Sequence, residues 1–176
     1  MLLALALVGA AGCGSGPVSA KGGDQPLPAL TGRVVDRANL IDPAAESALT
    51  AKLAALETDT TDQVVVVTLP GLKGEPIEAT GRRLGNGWGI GRNDADNGVL
   101  LLVAPRERAV RIEVGEGLEG LLTDERAAEI IQLILPQFKA NKPEAGISLG
   151  VDEISKRLRS DRRRPQRLKQ PQKVAA

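Results

Sequence analysis

The fold of this chain is decided by residues 63–68, whose sequence is QVVVVT. Four consecutive valines favour extended backbone, because β-branched side chains pack well on a pleated surface. A strand with one face in water alternates apolar and polar residues, and this run does not alternate. It therefore predicts a strand buried on both faces, in a sheet that helices cover on each side.

A second strand and a hairpin follow downstream. Residues 98–104, GVLLLVA, form another unbroken apolar run, and residues 109–114, AVRIEV, alternate apolar and polar side chains. Only the turn PRER at 105–108 separates the two segments, so they are predicted to pair as an antiparallel hairpin.

Helix signals surround these strands. Asp42 and Pro43 suit the N-cap and first position of a helix, and Thr123 suits the N-cap of a later one. Helices are predicted over about 43–57, 76–86, 124–136 and 144–158, with a glycine-rich loop at 85–91 and with Pro136 kinking or ending the third helix. The predicted fold class is α/β: a three-layer α/β/α sandwich over residues 30–158, with a mixed, mostly buried central sheet containing one antiparallel hairpin.

Composition excludes several kinds of chemistry. The chain has 176 residues, which suits one domain with short extensions, and it contains no histidine. Its single cysteine, Cys13, lies near the N-terminus, outside the predicted domain. Histidine-based acid–base catalysis, Ser-His-Asp triads, thiol catalysis and Cys or His metal sites are therefore excluded. A metal would need oxygen ligands, which favours Ca²⁺, Mg²⁺ or Mn²⁺.

The N-terminal segment indicates export. Residues 2–11, LLALALVGAA, are too short to span a bilayer and suit the core of a leader over residues 1–20. Two exits are open: a lipobox-like pattern that would place a lipid on Cys13, or signal-peptide cleavage after Ala20. The expected location is the periplasm or cell envelope. Residues 21–31 are predicted to be a linker to a domain at 32–158.

The C-terminal segment is strongly basic. Residues 156–176 hold nine Lys and Arg and one Asp, whereas the rest of the chain holds 14 basic and 21 acidic residues. A disordered tail is therefore expected over 159–176, available to anionic lipid or to the acidic body. Nucleic acid is not an expected partner, because aromatic side chains that stack on bases are lacking.

The stretch VGEGLEG at residues 114–120 matches the spacing G-x-G-x-x-G of dinucleotide-binding loops. Its context argues against a nucleotide cofactor. Glu116 and Glu119 would repel a pyrophosphate, and the next helix begins beyond the last glycine, so its amides are not presented by the loop. The glycines are instead predicted to serve a strand-to-helix turn that needs positive φ.

A family resemblance explains the same stretch. The segments RVVDRANLI, WGIGRNDADNGVLLLVA and RAVRIEVGEGLEGLLTDERA, in this order, resemble the TPM domain family over about residues 30–158. The resemblance implies a three-layer α/β/α sandwich and an association with acid phosphatase activity. The chain departs from the family pattern at Glu116, where an aromatic residue is common. It also carries the basic tail where many bacterial relatives continue into a transmembrane helix.

Acidic residues at the ends of predicted strands are the candidate site. Oxygen ligands for Ca²⁺ or Mg²⁺ are predicted at Asp36, Asp96, Glu119 and Asp124, and Asp36 or Asp124 would act as base or nucleophile. Other roles stay open for each: Asp36 as a cap of the following turn, and Asp124 as a partner of the helix dipole.

Two further residues complete the predicted binding set. Asn97 lies in a polar segment, DADNG, which fails the EF-hand spacing and also suits a plain turn. Arg111 suits an anion, or an ion pair on the surface.

Two functions fit these features. The first is a binding or accessory module at the cell envelope that contacts a membrane protein or complex and is modulated by Ca²⁺. The second is a metal-dependent acid phosphatase that uses the carboxylate cluster.

Overall fold

A computed structural model describes residues 26–160 of the chain. The predicted leader, the first part of the linker and the tail beyond Ser160 lie outside these residues. Within them, the strands are β1 (Val34–Asp36), β2 (Gln63–Thr68), β3 (Gly98–Ala104) and β4 (Ala109–Val114). The helices are α1 (Pro43–Thr60), α2 (Ile77–Trp88), α3 (Asp124–Lys139) and α4 (Pro143–Ser160), with a 3₁₀ turn at Glu116–Leu118.

The strands form one mixed sheet in the order β1-β2-β3-β4. β1 and β2 run parallel, as do β2 and β3, while β3 and β4 form the predicted antiparallel hairpin. All seven residues of β3 are buried, as are Val64 to Thr68 of β2. Burial of both strands on both faces confirms the prediction made from QVVVVT.

Two apolar clusters lie on opposite faces of the sheet. The larger cluster contains the even-numbered valines of β2, such as Val66, and packs against α1, α3 and α4. The smaller contains Val65 and Val67 and packs against Leu84 of α2 and the partly buried ring of Trp88. The chain is therefore a three-layer α/β/α sandwich, as predicted.

Two helices continue through residues that were expected to interrupt them. α2 continues to Trp88, so the segment predicted as a loop is partly helical; Gly85 and Gly87 lie inside the helix, which ends at Gly89 in the left-handed conformation. α3 passes through Pro136 and ends at Lys139, so, of the two alternatives left open, the one in which the proline ends the helix was wrong. The side chains of Ile134, fully buried, and Phe138 pack on the core on either side of the proline. This packing offsets the hydrogen bond that proline cannot donate.

No helix in residues 26–160 has the length and apolar character needed to cross a membrane.

Candidate functional site

Strand direction distinguishes two edges of the sheet, the carboxyl edge and the amino edge. The carboxyl edge is where β1, β2 and β3 end, and it includes the turn at 105–108 and the α3–α4 link at 140–142. The amino edge is where β2 and β3 begin and β4 ends, and it includes the loops at 90–97 and 115–123. Ligands of open α/β sheets favour the carboxyl edge.

Asp36 ends β1 at the carboxyl edge, and its carboxylate is occupied by hydrogen bonds. The amide of Leu40 donates to Oδ1 at 3.1 Å and that of Ile41 to Oδ2 at 2.9 Å. The buried hydroxyl of Thr68 also donates to Oδ1, and it accepts the amide of Ala38 at 2.9 Å. Asp36 therefore caps the turn after β1, which is one of the two roles that the sequence left open.

The other predicted metal ligands, Asp96, Glu119 and Asp124, lie at the amino edge and are exposed. Because β2 has six residues, roughly 20 Å of sheet separates them from Asp36. Among residues 26–160, no group of three acidic side chains is close enough to hold a metal ion. The structure thus does not bring the predicted set together, because Asp36 follows a strand whereas Asp96 precedes one running the same way.

Asn97 is a buried junction of the amino edge, with 5% of its surface exposed. Its side-chain oxygen accepts the amide of Arg92 at 2.9 Å. Its side-chain nitrogen donates to the carbonyl of Thr61 at 2.7 Å and to Asp62 at 3.1 Å. These bonds hold the loop at 90–97 against the start of β2, so the Asn97 side chain has a structural role.

Arg111 lies on the face of β4 that packs against α2. Its guanidinium Nε donates to Glu113 Oε2 at 3.0 Å, and both side chains lie beside Gly81. The ion-pair alternative that the sequence left open for Arg111 is the observed state.

Two of the VGEGLEG glycines, Gly115 and Gly117, allow a close approach between loops. Gly115 has φ −70°, and none of the three glycines is among the described residues with positive φ, so the predicted reason was wrong. A Cβ on Gly115 would overlap the carbonyl of Asp96, and one on Gly117 would overlap the carbonyl of Ala95. The amide of Gly117 donates to the Asp96 carbonyl at 3.1 Å, which ties the two amino-edge loops together.

The two edges differ in charge, a feature that the sequence analysis missed. Exposed acidic residues cluster in the amino-edge loops and the first turn of α3: Asp94, Asp96, Glu116, Glu119, Asp124 and Glu125. The carboxyl edge is mixed, because exposed Asp42, Glu78 and Glu107 accompany its exposed basic residues, which are Arg37, Lys73, Arg106, Arg108, Lys139 and Lys142. Strand direction separates these residues, because the loops before β2 and β3 lie at one edge and the loops after them lie at the other. The net charge of the whole chain does not reveal this difference. The amino edge is therefore strongly acidic, whereas any preference for an anion at the carboxyl edge comes from local side chains such as Arg108 and Lys139.

A partly buried ion pair stabilises a carboxyl-edge loop. Arg83 on α2 donates two hydrogen bonds to Glu75, at 3.1 and 2.7 Å, and the Glu75 side chain is 8% exposed. The Arg83 hydrogen bonds hold the pKa of the Glu75 carboxyl below its ordinary value, with help from the Thr80 hydroxyl and against the effect of burial. Glu75 is therefore a charged anchor of the loop between β2 and α2.

A cleft of about 610 Å³ opens at the carboxyl edge, between β4 and the C-terminal part of α3. Its volume is in the range of pockets that bind small ligands. Its lining is mostly apolar, with two cationic side chains, and includes Leu40, Val110, Leu135, Phe138, Arg108 and Lys139. Leu40 belongs to the turn that Asp36 caps, so Asp36 supports one wall of the cleft.

Solved structures share this architecture. The N-terminal domain of a protein from P. gingivalis is 33% identical with a TM-score of 0.69, and the match covers 73% of this chain and 83% of that chain. The N-terminal domain of the cg2496 protein from Corynebacterium glutamicum is 18% identical with a TM-score of 0.55, covering 78% and 84%. The BA42 protein from the psychrophilic bacterium Bizionia argentinensis is 18% identical with a TM-score of 0.61, covering 69% and 83%. The last two show the fold alone.

Sequence comparison agrees with the resemblance seen in the motifs. No curated protein matches the chain. The model of the TPM domain matches residues 34–157, from the first strand to the last turn of α4. The chain belongs to the TPM domain family.

Proposed function

We propose that the chain is a binding module of the cell envelope that contacts a membrane protein or complex. One observation carries the proposal: the carboxyl edge offers a preformed apolar cleft with a cationic rim. The carboxylates predicted for catalysis, Asp36 and Asp124, lie at opposite edges, and both oxygens of Asp36 already accept amides of the turn after β1. Such a site suits recognition better than bond cleavage.

Export is part of this proposal and is supported by the leader-like sequence of residues 2–11. Lipid on Cys13, or the basic tail on anionic lipid, would hold the module at a membrane. The intact mass of the protein isolated from the envelope fraction distinguishes acylation at Cys13 from cleavage after Ala20.

Calcium is the proposed modulator, bound at the acidic amino edge, and Mg²⁺ is the other ion considered. Asp96 Oδ2 accepts the main-chain amide of Glu116 at 3.3 Å, so the two loops that carry these acidic residues are in contact. Calorimetric titration of the full chain is expected to give a Kd of about 0.1–1 mM for Ca²⁺, the range of extracellular modules. Asp96→Asn should abolish the heat of binding. Glu78→Gln, an equal charge change on the exposed side of α2, should leave it unchanged. An equal loss of binding heat in both variants would mean that Ca²⁺ is attracted by the overall charge and not bound at a defined site.

The alternative is the metal-dependent acid phosphatase, and a turnover assay separates it from the binding module. The full chain is incubated with p-nitrophenyl phosphate at acidic and neutral pH, with Ca²⁺, Mg²⁺ or Mn²⁺. A binding module is expected to release phosphate no faster than a heat-denatured sample. Metal-dependent release that Asp124→Asn abolishes, in a variant as stable as the wild type, would establish the phosphatase and overturn the proposal.

A second arm measures binding directly. A photo-crosslinking side chain is placed at Arg106, exposed at the carboxyl edge, or at Ala128, exposed near the start of α3. In envelopes of the producing cell, the expected product is one discrete adduct with an integral membrane protein from the first position only. Equal labelling from both positions would count against a specific partner surface.

A further inference from the structure

The cleft contains main-chain groups that no described residue uses. Gly115 donates its amide to the Gly98 carbonyl at 2.8 Å, and the register pairs Val103 with Val110. Since hydrogen-bonded and non-hydrogen-bonded pairs alternate in an antiparallel ladder, the N–H and C=O of Val110 point away from β3. β4 is an edge strand in the described sheet, and Val110 lines the cleft. One free donor and one free acceptor therefore border an otherwise apolar wall.

The rim of the cleft is cationic. Arg108 and Lys139 line it, both are exposed, and neither makes an ion pair with another residue of 26–160. No carboxylate is among the lining residues. The site thus matches one compact anion next to an apolar group.

We propose that this cleft binds the free C-terminus of a partner protein whose last residue is aliphatic. The terminal carboxylate lies between Arg108 and Lys139, and the last side chain fills the space against Leu135 and Phe138. The peptide runs antiparallel to β4 and exchanges hydrogen bonds with Val110, as in β-strand addition. This inference rests on the proposed function and names the part of the membrane protein that the module recognises.

A peptide fits the observed groups better than an acyl chain of the same charge. A fatty acid would fill the apolar space but would bury the Val110 N–H and C=O without partners, which is unfavourable. A peptide main chain supplies an acceptor and a donor at that point. Ile112, two residues along β4, is only 3% exposed, so the open edge ends there and recognition is confined to the last two or three residues of the peptide.

The test uses the full chain and three probes. They are a fluorescein-labelled hexapeptide, Ser-Gly-Ser-Thr-Val-Leu, with a free carboxylate; the same peptide with a C-terminal amide; and lauric acid as competitor. We expect saturable fluorescence anisotropy with the acid, and at least about tenfold weaker binding of the amide, because charge-assisted hydrogen bonds are lost. Arg108→Gln and Lys139→Gln should each lower the affinity for the acid peptide by a similar factor. Arg106→Gln, the same charge change two residues away and outside the lining, should not.

Several outcomes would overturn the inference. Equal affinity for the acid and the amide peptide would show that the carboxylate is not recognised. An equal loss of affinity in Arg106→Gln and Arg108→Gln would show that binding depends only on net charge. Saturable binding of lauric acid without peptide binding assigns the cleft to lipid. Specific crosslinking at Arg106 without peptide binding would contradict recognition of a C-terminus but would leave the proposed function in place. Phosphate release lost in Asp124→Asn overturns the proposed function whatever the peptide does. Amide exchange at Val110 that slows with the acid peptide would locate the contact on β4.

Discussion

Replacement of Asp36 by alanine is expected to lower the free energy of unfolding by about 3 kcal/mol, since each donor that loses a charged acceptor costs roughly 1–3 kcal/mol. Three donors lose their acceptor: the amides of Leu40 and Ile41 and the buried hydroxyl of Thr68. The amide of Leu40 can regain water in part, because Leu40 is half-buried whereas Ile41 is buried, and this limits the loss. The measurement is urea unfolding followed by fluorescence of Trp88, the chain's single tryptophan.

Asp42→Ala is the matched control. Asp42 is the N-cap of α1, but its side chain makes no capping hydrogen bond and is exposed, so a loss of only a few tenths of a kcal/mol is expected. Asp36→Asn keeps one carbonyl oxygen as an acceptor, so its loss of unfolding free energy should lie between those of Asp36→Ala and Asp42→Ala. An Asp36→Asn protein with wild-type stability that has lost metal-dependent phosphate release would contradict the structural role and favour a catalytic one.

The fold was predictable because its signals are local and agree with one another. The runs at 63–68 and 98–104 have no polar residue between their ends, and the link at 105–108 is too short for a parallel crossover. Thr123 behaves as predicted, since its side chain accepts the amide of Arg126 at 3.4 Å. The ends of α2 and α3 were less predictable, because packing of Leu84 and Phe138 outweighs the weak helix propensity of glycine and proline.

The candidate site was harder to predict because it depends on which residues share an edge. Part of the signal was present: Asp36 follows a strand and Asp96 precedes another, and such residues lie at opposite edges of a parallel pair. The cleft left no motif. Arg108 lies in a hairpin turn and Lys139 at the end of a helix, and only the tertiary packing of α3 beside β4 brings them together.

The second large effect is expected at Gly117. Gly117→Ala should lower the free energy of unfolding by about 3 kcal/mol, at the upper end of the usual cost of inserting a methyl group into a packed site. The new Cβ would overlap the carbonyl of Ala95, a backbone atom, so no side-chain rotation can relieve the contact. The loop would have to move and would weaken the bond from the Gly117 amide to Asp96.

Gly120→Ala provides the control within the same motif, because nothing lies within 4 Å of a Cβ built there. This variant should be unchanged or more stable by about 0.4–1 kcal/mol, since alanine restricts the unfolded chain. Both variants are compared by urea unfolding, with and without 5′-nucleotides. A phosphate-binding loop would lose ligand-dependent stabilisation in Gly117→Ala. A loop that only packs would show the stability difference with no response to nucleotide. Equal stability of the two alanine variants would mean that the loops at 90–97 and 115–123 do not approach as closely as described. The contact between the loops that carry Asp96 and Glu116 would then also be wrong.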